Sequence, residues 1–338
     1  IFSLSFWLPS LFILGSLVYS IALFDLFKNS KRFFLEKNNY LGFYTLFVFI
    51  FLIGVMNNYK EFGTDLPGFI LSLYIFIFIL IVIQKKIFLN TNLLFLFILL
   101  SNFALMIKIT NSLVYLLLIV LFIYINYRNI KPWFVLAIVP LMLWFSQNII
   151  ISNCLIWPIS PLCFDTDAAN YELYLIESFA KSNPDTNMDI SKFQWIGLWL
   201  NDHLNKMVEI YAIFSLLLLL PIIFFKLRGK QILFKNFFSD FDIKLKYIYV
   251  YILVAFIFSN LVWFFYSPAY RFGLFYNLNL ILIFLIPYWL EIYKKNNNFV
   301  ATYNQILIFI GFIFFLYSNI NRLDWYFERY GNTWPLFN

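Results

Sequence analysis

Long apolar runs alternate with short polar connections along most of the chain. The runs fall near residues 3–27, 41–57, 66–84, 92–108, 113–127, 132–150, 208–227, 247–266, 272–293 and 300–318. Each approaches the ~20 residues that carry a helix across a bilayer core of about 30 Å. Backbone amides in hydrocarbon have no water to bond, so each run must satisfy its own hydrogen bonds, which makes these helices and not strands. The pattern predicts an all-α, polytopic membrane protein of about ten transmembrane helices. It forms a single membrane domain over residues 1–338, interrupted once by a long segment that is not built for lipid, 148–207.

That segment has internal order. Asn153 to Pro161 reads as rigid and extended, because each proline fixes φ and turns the residue before it away from helix. Asp167 is placed to cap a short helix running to Lys181, with Tyr171, Tyr174, Leu175 and Phe179 on one side. Asn183-Pro184-Asp185 reads as a turn. Ser191 and Gln194 fit a capping box opening a second helix, with Ile196, Trp199, Leu200, His203, Leu204 and Met207 on one face. An apolar face carrying Trp195 and Trp199 and leading into a span predicts a helix lying along the membrane surface.

Composition agrees with the pattern. Hydrophobic residues make up 63% of the chain and charged residues 12%, against about 25% charged in soluble domains. The net charge of +7 sits between spans and not on a binding face, which reads as a topology signal and not as a nucleic-acid surface. Lys28, Lys31, Arg32 and Lys37 form one cluster. Lys226, Arg228, Lys230, Lys235, Lys244 and Lys246 form another. Placing both in the cytoplasm puts the 148–207 loop outside. The stretch Leu4 to Phe27 reads as a span and not as a cleavable signal peptide, and Ile1 in place of Met leaves room for an upstream segment.

Cys154 and Cys163 lie close together on the outer side. A disulfide there would staple the Trp157-Pro158 turn; two unpaired thiols are the alternative. A metal site is disfavoured, because His203 is the chain's one histidine and lies far along the sequence.

Ionisable residues near the membrane are costly and mark candidate chemistry. Asp65, just before the third span, reads either as a helix cap or as a carboxylate able to orient or deprotonate a hydroxyl. Glu61 is the reserve, and Lys60 could pair with either. Lys108 ends the fourth span, where it snorkels to the headgroups or holds a phosphate. Arg271 sits between the eighth and ninth spans on a loop shaped by Pro268 and Gly273. Its planar fork suits bidentate phosphate binding, with an interface anchor as the plain alternative. The tail, 319–338, with Trp325 and Trp334 among charges, reads as an aromatic belt. No Walker loop, dinucleotide-binding glycine run, His-Glu-x-x-His or Gly-x-Ser-x-Gly is present. Polar residues inside spans, such as Asn102, Asn260 and Asn279, read as interhelical glue and not as an ion pathway.

Four stretches, EFGTDLP at 61–67, MIKIT at 106–110, NCLIWPISPLCF at 153–164 and PAYRFG at 268–273, resemble a family of uncharacterised bacterial multi-pass proteins. That family is grouped with the GT-C-type glycosyltransferases and O-antigen polymerases. The resemblance implies transfer of a sugar or oligosaccharide from a polyprenyl-phosphate carrier at the outer face of the bacterial plasma membrane, with membrane lipid and the carrier-linked glycan as partners. No organic cofactor is implied, and a divalent metal is left open. GT-C enzymes place an essential carboxylate in their first outer loop, whereas Asp65 lies after the second span here. By role, Asp65 or Glu61 would be the catalytic carboxylate and Arg271 and Lys108 the phosphate ligands. Trp157, Trp195 or Trp199 would stack on sugar. A lipid-linked glycan flippase and a non-catalytic subunit of an envelope assembly complex are the rival expectations.

Overall fold

The computed structural model describes residues 4–37, 39–55, 65–122, 131–156, 160–164, 195–229, 243–266, 269 and 272–330, and seven positions between 167 and 181: 167, 170, 171, 174, 175, 178 and 181.

Eleven α-helices form in chain order. They are α1 (Leu4–Leu35), α2 (Asn39–Val55), α3 (Asp65–Lys85), α4 (Thr91–Ile107), α5 (Val114–Phe122) and α6 (Val139–Ser152), then α7 (Trp195–Met207), α8 (Ile213–Leu227), α9 (Ile243–Tyr266), α10 (Leu274–Lys295) and α11 (Asn297–Tyr330). Among the described residues there is no strand; Cys154 and Cys163 form an isolated β-bridge. Local chemistry sets the ends. The Asn90 side chain accepts from Leu93 N at 2.9 Å to cap α4, and Asn296 accepts from Phe299 N at 3.1 Å to start α11, each satisfying an amide that the helix leaves orphaned.

Among the described residues six helical stretches are long and apolar enough to cross a membrane: Leu66–Lys85, Pro132–Ser152, Ile210–Leu227, Leu245–Phe265, Leu274–Lys295 and Asn297–Tyr317. The expected number was about ten. Part of the difference has a physical cause: the apolar helices Asn39–Gly54, Thr91–Ile107 and Ile109–Leu121 fall short of the ~20 residues of a full crossing. The last helix runs beyond the predicted span, α11 staying helical through Tyr330.

The chain divides into two compact units, one built from residues 1–63, 213–238 and 284–338 and the other from 64–212 and 239–283. In the first, aromatic side chains carry both packing and polar ties. Phe43 and Phe47 pack on Trp289 at 5.8 and 5.1 Å between ring centroids. The Trp289 indole donates to Leu218 O at 3.0 Å, Tyr303 donates to Leu217 O at 2.7 Å, and Tyr19 donates to Leu52 O at 2.6 Å. Each apolar ring thus fills the core while its polar tip finds a carbonyl.

The second unit centres on Phe76, 5.1 Å from Phe256 and 6.5 Å from Phe275. Asn102 is buried, donates to Ala137 O at 2.7 Å and accepts from Tyr115, the interhelical role expected for it. Tyr251 reaches Leu116 O at 2.7 Å. At the end of α6, Asn153 adopts a left-handed conformation, φ 55°, which asparagine tolerates at a helix C-terminus. Cys154 and Cys163 are joined as a disulfide. Leu155 N bonds Leu162 O, and Phe164 N bonds Asn153 O, both at 2.7 Å. Trp157 lies outside the described residues.

Candidate functional site

One end of the second unit gathers three of the four stretches singled out for chemistry. It begins where α4 stops. Lys108 leaves the helix in an extended conformation, φ −160° and ψ 128°, with its N–H still bonded to Ala104 O at 3.2 Å. A 3₁₀ turn, Ile109–Leu113, follows at once. Asn111 closes the corner twice: its N–H bonds Lys108 O at 3.0 Å, and its buried side chain donates to Ala104 O at 3.0 Å. From α10, Tyr276 donates to Thr110 O. The Lys108 backbone is therefore fixed on both sides by groups that would be costly to leave unpaired away from water.

The start of α3 reaches the same corner. A Cβ added at Gly68 would lie 2.5 Å from Asn111 Nδ2 and 3.2 Å from Ile107 Cγ2, so only glycine allows so close an approach. Asp65 is the first residue of α3, one turn before Gly68. The first turn of α3, which Asp65 begins, thus lies against Ile107 and Asn111, on either side of Lys108 in sequence.

The third stretch closes the other side. Phe272 N bonds Ala269 O at 3.0 Å. Trp263 Nε1 donates to the same carbonyl at 2.9 Å. A Cβ on Gly273 would lie 2.5 Å from Trp263 Cε2 and 2.6 Å from Asn277 Nδ2, so the indole lies flush on the backbone. Lys108 Nζ stands 3.1 Å above the centroid of the Phe272 ring. Such a cation–ring contact is worth about 0.5–2 kcal/mol.

Behind Phe272 lies an aromatic cluster of Trp195, Trp199 and Trp263, with Phe264 and Phe272 packed against it. Trp195 is 3% and Trp199 5% exposed; their rings lie 5.3 and 5.4 Å from Phe264. His203 stacks on Trp199 at 5.4 Å. Of the apolar face of α7, Ile196, Trp199 and Met207 pack into this cluster with Trp195, while Leu200 and Leu204 of the same face stay exposed. Helical positions on the preceding stretch run from exposed Tyr171 and Tyr174 to buried Ser178 and Lys181. Lys181 Nζ is 5.4 Å from the Trp195 ring centroid.

Glu61 and Arg271 lie outside the described residues, as do Ser191 and Gln194. Lys181 and Trp263 belong to the site although the sequence reading passed over them. Trp263 carried a signal, being a span-end tryptophan just before PAYRFG. Lys181 carried only its place at the end of a helix. No group of three or more His, Cys, Asp and Glu able to hold a metal occurs among the described residues. Chemically, the corner offers ammonium groups against rings, beside a helix N-terminus whose dipole also favours an anion.

Among the described residues, an all-helical fold with six helices long and apolar enough to cross a membrane marks a polytopic helical membrane protein. The chain belongs to the DUF8201 family, a domain of unknown function, matched over residues 1–278. No curated protein and no solved structure matches it.

Proposed function

We propose that this chain is a membrane glycosyltransferase or glycan polymerase of the bacterial cell envelope, taking its sugar from a polyprenyl-phosphate carrier. The observation that supports the reading is the convergence of residues 65–68, 107–111 and 269–276 on one corner of a membrane unit. They bring the helix turn that Asp65 begins and a lysine held at a ring together with Ala269 and Phe272, between which Arg271 lies in sequence. In this reading the acceptor hydroxyl attacks the anomeric carbon as the bond from that carbon to the carrier phosphate oxygen breaks. The hydroxyl proton passes to the Asp65 carboxylate, and Lys108 with Arg271 balances the charge left on the phosphate. Trp195 and Trp199, being buried, serve as the wall behind Phe272 in place of an open stacking face.

The same reading sets the topology: about ten spans, with the 148–207 loop on the outer side of the plasma membrane. The distribution of lysine and arginine between spans favours this sidedness. The Cys154–Cys163 disulfide favours it independently, since disulfides persist in oxidising compartments.

The test is the envelope glycan of a deletion strain complemented with wild type, Asp65→Asn or Lys108→Met, at matched protein levels in the membrane. Asp65→Asn should lower product by about 10²-fold or more, the usual contribution of a positioned acid or base. Unchanged glycan in both variants would overturn the proposal. Carrier-linked glycan trapped on the cytoplasmic side would replace it with the flippase reading.

A further inference from the structure

We infer that Phe272 is a positioning residue for Lys108: its ring face holds the ammonium at the corner shared by α3, α4 and the Ala269–Phe272 hydrogen bond. The inference rests on the phosphate-binding reading of that corner. A lysine at a span end has four rotatable carbons and about 2 kcal/mol of rotamer entropy, and left to itself it extends toward the headgroups. Here Nζ sits 3.1 Å above a ring centroid. The ring cannot follow the lysine, because the main chain beneath it is fixed. Phe272 N is tied to Ala269 O, that carbonyl also takes the Trp263 indole N–H, and Gly273 lies flush against the same indole. The cluster of Trp195, Trp199 and Trp263 backs the ring. Phe272 is therefore the fixed partner and Lys108 the one that is placed.

A ring face attracts the ammonium through its quadrupole and brings no charge of its own to the corner. Leucine at 272 keeps apolar bulk but has no such face; tyrosine keeps the face.

The experiment uses the full chain in lipid nanodiscs, with a long-chain polyprenyl phosphate and inorganic phosphate as separate probes and tryptophan fluorescence as the signal. Thermal melts of each variant establish that it is folded. Wild type and Phe272→Tyr should bind alike, and Phe272→Leu about tenfold more weakly, within the range of a cation–ring contact. In a Lys108→Met background, Phe272→Leu should cost nothing more. Wild-type affinity in Phe272→Leu, or an equal loss in both backgrounds, overturns the inference, the second result marking Phe272 as packing only. Binding of the polyprenyl phosphate alone identifies a lipid headgroup; binding of both probes identifies the phosphate itself as the feature recognised. If wild type binds neither, the phosphate reading fails, and a ligand-free measurement judges the positioning alone. Acetylation of Lys108 by an amine reagent should be faster in Phe272→Leu than in Phe272→Tyr; equal rates overturn it.

Discussion

The two units bury polar groups in a largely apolar chain by one shared device and differ in their backbone. Both spend aromatic hydroxyls and an indole on carbonyls: Tyr19 on Leu52, Tyr303 on Leu217 and Trp289 on Leu218 in the first, Tyr251 on Leu116, Tyr276 on Thr110 and Trp263 on Ala269 in the second. Among the described residues the first has no 3₁₀ or π turn. Its buried Glu291 has Lys294 one turn away at 3.5 Å. The second unit breaks its helices. A 3₁₀ turn follows α4, another precedes α6, and a π-helical turn, Val208–Ala212, follows α7. Two of its lysines, Lys108 and Lys181, stand over rings. Irregular backbone at membrane depth survives only where protein or a cavity surrounds it, and π turns gather at functional sites. The contrast separates a scaffold from a unit whose irregularities bring chemistry-bearing positions together.

The largest effect should come from the scaffold. Trp289 is fully buried, packs on Phe43 and Phe47, and donates to Leu218. Trp289→Ala should cost about 3–5 kcal/mol, the usual range for emptying a large aromatic site. Unfolding in mixed micelles measures this. Phosphate-probe affinity per folded molecule should stay at the wild-type value, and a loss of affinity without loss of stability would break the division of labour between the units.

Gly273→Ala comes next and should move both readouts. The new methyl meets the rigid Trp263 ring at 2.5 Å, and overpacking of this kind costs about 1–3 kcal/mol. Because the indole also holds Ala269 O, its displacement should loosen the Ala269–Phe272 hydrogen bond and weaken phosphate binding. A variant that melts early yet binds as wild type would show that this bond does not set the site.

The helical framework was readable because apolar runs report directly on what must leave water, and α3, α9 and α10 lie close to the predicted spans. The candidate stretches were readable for a related reason, since a charge beside a membrane span is expensive. Their meeting was not. It depends on Gly68 against Asn111 and on Gly273 against Trp263, contacts between residues far apart in sequence that differ from ordinary glycines only in what stands opposite them. The fate of Trp195 and Trp199 was equally hidden. Periodicity defines an apolar face but cannot tell lipid from Trp263 and Phe264, and the cover proved to be protein. Lys181 gained significance only through its distance to Trp195.

Glycine provides the smallest effect and the sharpest form of the comparison. Gly54 in α2 and Gly68 in α3 are both helical glycines in apolar sequence, and nothing local distinguishes them. A Cβ at Gly54 meets nothing within 4 Å. Alanine there removes the excess backbone freedom that makes glycine poor in helices, so Gly54→Ala should leave stability unchanged or raise it by less than about 1 kcal/mol, with probe affinity unaltered. At Gly68 the same methyl would meet Asn111 Nδ2 at 2.5 Å and Ile107 Cγ2 at 3.2 Å. The Asn111 amide would have to give up Ala104 O or push α3 away, either of which disturbs the backbone that carries Lys108. Paired melts and phosphate titrations of the two variants decide the matter. If Gly54→Ala proves as damaging as Gly68→Ala, close approach is not what distinguishes the second unit, and the corner at Lys108 loses its structural basis.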